Sequence, residues 1–180
     1  MERPQLWELA EQIGFSHWAE LNMDALEFLP EVRAMCAAER CGSYGHSWSC
    51  PPAIGTLADS AARVKGYTRG LLVQTTGRME DAFDLEAIRV AERLHKRHFD
   101  ALARQARQLW PDCLPMAAGS CTRCRQCTYP HRPCRYPGQM FPSMEAYGLW
   151  VSEVCRRSGL PYTYGPETIT FTACILTKEL

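Results

Sequence analysis

Four cysteines close together constrain this chain more than any other feature. Cys121, Cys124, Cys127 and Cys134 stand in the run CTRCRQCTYPHRPC, spaced C-x2-C-x2-C-x6-C. Two-residue spacers let a looping backbone turn three successive thiolates onto the corners of one iron–sulfur cube, with the fourth thiol close behind. Zinc more often takes two separated pairs of ligands. The run departs from the bacterial ferredoxin pattern, which has three residues before its last cysteine and a proline after it. Here six residues precede Cys134, and Arg135, Tyr136 and Pro137 follow it. The pattern favours a [4Fe–4S] cluster over zinc, and either over a disulfide.

A second group lies upstream. Cys36, Cys41 and Cys50 form C-x4-C-x8-C within CAAERCGSYGHSWSCPP. Three thiols leave one corner of a cube, or one position of a tetrahedral ion, unfilled. Either a further ligand arrives from elsewhere or the position is open to solvent or substrate. Free cysteines are also common as small buried hydrophobes. The clustering, the punctuation by Gly42, Gly45 and Gly55 and the Pro51-Pro52 terminus favour metal binding here too.

Bulk properties narrow the remaining choices. The chain has 180 residues, 20 basic and 20 acidic side chains and zero net charge, which gives no support to a nucleic-acid binder. Its length suits one domain with a core large enough to fold without disulfides. The first residues, MERPQLWELAEQIG, lack the basic and apolar regions of a secretory signal, and no apolar run is long enough to span a bilayer. The expected location is the cytoplasm, where thiols stay reduced and clustered cysteines signal metal.

Residues 1–65 read as a cysteine-rich annex of short helices, and residues 66–180 as an α/β core whose main cysteine loop spans 119–137. In the annex, Leu6, Leu9, Ala10 and Ile13 share a helical face, Pro30 opens a second helix and Thr56 caps a third that runs to about Lys65. In the core, the run GLLVQTT at 70–76 is a buried strand. A long amphipathic helix follows from about Leu85 to Trp110, with Leu85, Ile88, Leu94, Leu102, Ala106 and Leu109 as its apolar stripe and Pro111 as its stop. Residues 114–118 give a second strand and Ser143 to Arg157 a further helix, capped by Ser143 and ended by Gly159. The β-branched run Thr168 to Thr177 is the last strand. This order predicts a small mixed sheet of about three main strands, partly parallel, with flanking helices. The cysteine loop then leaves the carboxyl end of the second strand.

Other residues carry weaker signals. Cys155 and Cys174 fall on apolar faces and read as core thiols. Cys113, at a turn after Pro111-Asp112, is a spare ligand at most. His46 and His131 lie inside the cysteine segments, where a neutral imidazole either ligates or donates to sulfur, although a solvated loop histidine is the commoner case. Arg123, Arg125, Arg132 and Arg135 interleave with the main cysteines. Guanidinium groups there favour the more negative, reduced state of a cluster and suit an acidic redox partner. Tyr44 and Trp48 read equally as covers over the first site or as plain packing residues, and Glu145 as a first-turn carboxylate favoured by its helix dipole. No phosphate-binding glycine loop, nucleophile elbow or zincin helix is present.

Three phrases add a family resemblance: Tyr44-Gly45-His46-Ser47-Trp48-Ser49-Cys50-Pro51-Pro52, Ala118-Gly119-Ser120-Cys121 and Pro142-Ser143-Met144-Glu145-Ala146-Tyr147-Gly148. Together with the two cysteine groups they resemble the predicted metal-binding proteins catalogued as domain of unknown function 2284, from about Cys36 to the C-terminus. The resemblance implies a small cysteine-rich protein that binds iron–sulfur clusters and has no settled reaction. The combined expectation is a cytoplasmic protein with one or two [4Fe–4S] clusters, one on Cys121, Cys124, Cys127 and Cys134 and a second cluster or metal on Cys36, Cys41 and Cys50. It would move electrons for a partner protein. The alternatives are an enzyme that acts on a small molecule at an open iron of the upstream group, such as a lyase or a sulfur-handling enzyme, and a non-redox module held by zinc. Neither nucleic acid nor membrane is an expected partner.

Overall fold

The structure is a computed structural model and describes residues 4–38 and 41–178. A four-stranded sheet, ordered β1-β2-β4-β3, carries the fold: β1 is His17–Glu20, β2 Arg69–Arg78, β3 Leu114–Met116 and β4 Thr168–Thr177. Five α-helices flank it: α1 (Leu6–Ile13), α2 (Pro30–Ala37), α3 (Leu57–Val64), α4 (Leu85–Leu109) and α5 (Val151–Arg157). The middle of β2 carries the apolar run Leu71, Leu72 and Val73 because both of its faces are covered there. Leu71 and Val73 point to one layer and Leu72 to the other. In the first layer, α1 and α4 pack through Leu6, Leu9, Phe99 and Leu102. In the second, Met144, Tyr147, Val151 and Val154 pack on Leu72, Cys174 and Leu176.

The α/β class holds, and the sheet corrects the expected topology in two ways. It has four main strands instead of about three, because the short segment HWAE pairs with β2. All three strand pairings are antiparallel. The last strand, β4, inserts between β2 and β3, matching β2 over ten residue pairs from Arg69↔Thr177 to Arg78↔Thr168. The crossover through α4 therefore skips a position, and β2 and β3 never touch.

Two helices also differ from expectation. Asp84 caps α4 by accepting from the Ala87 amide at 2.9 Å. The buried stripe of α4 runs through Ala91, His95, Phe99, Leu102, Ala103 and Ala106, while Leu85 is exposed because the first turns overhang the sheet. The helix expected from Ser143 begins only at Val151. Residues 143–149 instead form a buried turn. Ser143 Oγ accepts from the Ala146 amide at 3.1 Å, as a cap would, but Gly148 takes φ +91°, which ends the helical path. The Gly148 carbonyl accepts from the Leu29 amide at 2.8 Å, and a Cβ at Gly148 would collide with Leu57. Elsewhere Thr56 caps α3 as a capping box with Asp59. No helix among the described residues is long and apolar enough to cross a membrane.

Candidate metal centre

The loop that holds the downstream cysteines leaves the end of β3 and is fastened to α4. Lys96 Nζ donates to the Ser120 carbonyl at 3.0 Å, Arg123 pairs with Asp100, and Arg107 donates to the Gly138 carbonyl. Within the loop, Thr128 Oγ1 donates to the Pro133 carbonyl at 2.9 Å and Arg135 Nη1 to the Gln126 carbonyl at 3.0 Å. Cys121, Cys124, Cys127 and Cys134 are each partly exposed. All four line one cavity of about 390 Å³. Its wall includes Arg123, Arg125 and Arg135 and, among the described residues, no aspartate or glutamate.

The upstream segment forms part of the same wall. Gly42, His46, Ser47 and Trp48 line this cavity, so residues some seventy positions apart in sequence share it. Trp48 Nε1 donates to the Arg132 carbonyl at 3.0 Å, and its ring meets Tyr129 edge-on at 4.9 Å. The Cys121 amide donates to Ser49 Oγ at 3.0 Å. The same hydroxyl lies 3.0 Å from Ser47 Oγ and 3.6 Å from Cys50 Sγ. Ser49, with none of its surface exposed, thus joins the two cysteine groups.

The electrostatics differ between the groups. Burial would push the Cys127 thiol up, but backbone groups of Tyr129, Trp48 and Thr128 and the Ser47 hydroxyl outweigh it and hold the thiol below the usual cysteine range. Burial raises Cys121, opposed by the backbone and guanidinium of Arg123. In the upstream group, burial raises Cys36, and Cys41, Glu145 and Cys50 raise it further. Cys50 is also raised by burial and by Cys41, against hydrogen bonds from Ser49 and Ser47. Cys36, Cys41 and Cys50 are therefore near enough to feel one another's charge, and Cys50 feels Cys121. Cys36 is half-buried at the end of α2, Cys41 is exposed and Cys50 is buried.

Among the described residues, no three Cys, His, Asp or Glu side chains close around a point tightly enough to hold a single metal ion. The remaining thiols stand apart from both groups. Cys113 packs in the α1–α4 layer, and burial pushes it up to about 11. Cys155 and Cys174 are fully buried in the opposite layer, where Gln74 Nε2 donates to Cys155 Sγ at 3.6 Å. His46 lines the cavity and His131 lies exposed on the far side of the loop.

Sequence reasoning did not find Ser49 as the link or Glu145 as a buried group. Ser49 carries no signal of its own, because its partner is 72 residues away. Glu145 sits in the turn that replaced the expected helix, with its carbonyl 3.9 Å from Cys36 Sγ and its Oε2 shielded from solvent without a hydrogen-bond partner. Burial raises its carboxyl above the usual range, against the Ser143 hydroxyl and its own backbone. No curated protein and no solved structure matches the chain. The match that exists agrees with this concentration of thiols: residues 19–177 fit the model of a family described as predicted metal-binding protein (DUF2284), and the chain belongs to that family.

Proposed function

We propose that this chain is an iron–sulfur protein that carries electrons for a partner redox protein or enzyme. Cys121, Cys124, Cys127 and Cys134 hold a [4Fe–4S] cluster, and Cys36, Cys41 and Cys50 hold a second cluster or metal. The observation that supports this reading is the cavity of about 390 Å³ that all four downstream thiols line, with arginines beside them. A cube is larger than an ion and keeps its thiolates further apart, which suits donors that ring a cavity without converging on a point. A cluster bound there supplies one-electron chemistry with a potential set by its surroundings.

The protein groups set those surroundings. Ser47, Trp48, Thr128 and Tyr129 stabilise negative charge on Cys127. Arg123, Arg125 and Arg135 on the cavity wall favour the more negative, reduced state. Partial exposure of all four thiols leaves the centre within reach of a docked partner. The experiment is an anaerobic redox titration of the purified chain. The expected result is broad visible absorption that bleaches on reduction, with a paramagnetic signal appearing in step. Colourless protein that accepts no electrons after reconstitution with iron and sulfide would reject the reading.

A further inference from the structure

We propose that the Glu145 carboxylate is the fourth protein ligand of the centre held by Cys36, Cys41 and Cys50. The inference rests on the reading of that group as a metal or cluster site and adds the ligand that the spacing of the thiols lacks. Three thiols leave one position unfilled. Glu145 is carried by the buried turn at 143–149, whose backbone touches Cys36: the Glu145 carbonyl lies 3.9 Å from Cys36 Sγ. Its Oε2 is shut away from solvent and has no hydrogen-bond partner among the described residues.

A buried carboxylate oxygen without a partner is costly, so it calls for a proton, a water or a cation. The groups that feel the Glu145 charge are Cys36, Cys155, Cys174 and Tyr162, every one of which becomes negative when it ionises. Arg33, the cation among the described residues that Cys36 feels, is committed elsewhere: its Nη1 donates to the Gly55 carbonyl and its Nη2 to Ser60 Oγ, each at 3.0 Å. No cation among the described residues acts on the Glu145 carboxyl, and a metal on the adjacent thiols would supply that charge. Carboxylate oxygen suits the harder character of an iron that has lost one thiolate.

Other candidates for the position are placed less well. Cys155 is held by Gln74 and Thr172 in the core, Cys113 lies in the opposite layer, and His131 is exposed on the downstream loop. His46 faces the shared cavity with the downstream thiols. Glu145 alone of these comes from a segment in contact with Cys36.

The test uses the full chain with Cys124→Ser, so that only upstream iron contributes, reconstituted anaerobically with iron and sulfide. Iron retention during timed ferricyanide oxidation and the electron paramagnetic resonance response to added cyanide are measured for Glu145→Gln, Glu145→Ala and Glu145→Cys. Glu145→Gln and Glu145→Ala should lose one iron at least about tenfold faster and gain a cyanide-dependent signal, while Glu145→Cys restores retention. Glu145→Gln separates ligation from a merely neutral hydrogen-bonding role, because an amide keeps the shape and the hydrogen bonds. Retention and cyanide response unchanged in Glu145→Gln would overturn the proposal while leaving the function intact. A Cys124→Ser chain that takes up no upstream iron would overturn both for this site. A Glu145→Gln chain that does not fold even as apoprotein would assign the carboxyl to the fold and likewise overturn it.

Discussion

The two cysteine groups are joined through Ser49 and differ in almost everything else. The downstream four line an open cavity with arginines and, among the described residues, no carboxylate. The upstream three are spread from an exposed Cys41 to a buried Cys50, and burial and mutual repulsion raise the thiols of Cys36 and Cys50, with Glu145 alongside. Each group also leans on its own layer of the sheet. The downstream loop is fastened to α4 through Lys96, Asp100 and Arg107, and the upstream group meets the 143–149 turn, which packs on the opposite face. The downstream thiols are all partly exposed beside arginines, whereas the upstream thiols run from exposed Cys41 to buried Cys50.

The most forceful way to break this comparison is to remove one centre. Cys124→Ser should abolish the downstream cluster and leave the upstream metal bound, and Cys50→Ser should do the reverse. Iron and sulfide analysis of each variant decides it. Loss of both metals from a folded Cys124→Ser chain would mean one shared centre joined across Ser49.

The division into layers can be sharpened by cavities. Leu102 on the α4 face and Met144 on the other are fully buried. Leu102→Ala and Met144→Ala should each cost about 2–5 kcal/mol in urea denaturation. The spectroscopic disturbance should differ, with Leu102→Ala affecting the downstream centre and Met144→Ala the upstream one. Equal disturbance of both centres by either change would show that the layers do not support them separately.

Ser49→Ala addresses the link itself. It leaves the Cys121 amide without its acceptor and removes the hydroxyl beside Cys50, at a cost of about 1–3 kcal/mol. The potentials of both centres should move together in a redox titration. A shift confined to one centre would reduce Ser49 to an ordinary loop contact.

The most gradual effect belongs to His95, on α4 beneath the downstream loop. It is 1% exposed, its Nδ1 lies 3.0 Å from Thr75 Oγ1, and burial lowers it to about 3, helped by His98 and Lys96. The folded chain therefore refuses a proton that the unfolded chain accepts below about pH 6.5. Stability should fall by about 1.4 kcal/mol for each unit as pH drops through the window from 6.5 toward 3, and should not change from this source above it. Apoprotein unfolding at several pH values, with His95→Gln as the control that flattens the slope, measures it.

Where local pattern decides structure, the sequence was a sufficient guide. The ends of β4 at Thr168 and Thr177, the Thr56 cap and the stop at Pro111 follow from side-chain preferences within a few residues. What escaped depends on contacts between distant segments. Residues His17–Glu20 are too few for a period and become a strand only beside β2. The position of β4 between β2 and β3 leaves no local trace. Residues 143–149 have the spacing of a helix, but the close approach of Leu29 and Leu57 to Gly148 selects a turn instead. The same holds for the metal centre: the spacing identified a cluster of thiols, whereas Ser49 and the buried state of Glu145 exist only once the two segments meet.

The central claim is that these thiols hold iron and sulfide, and metal analysis of protein purified without oxygen tests it most directly. Iron, acid-labile sulfide and zinc should be measured on one preparation, alongside the Cys124→Ser chain. The account predicts iron and sulfide in near-equal amounts with little zinc, and a fall in both in the variant. Stoichiometric zinc without sulfide would contradict it and leave a zinc-held module in its place.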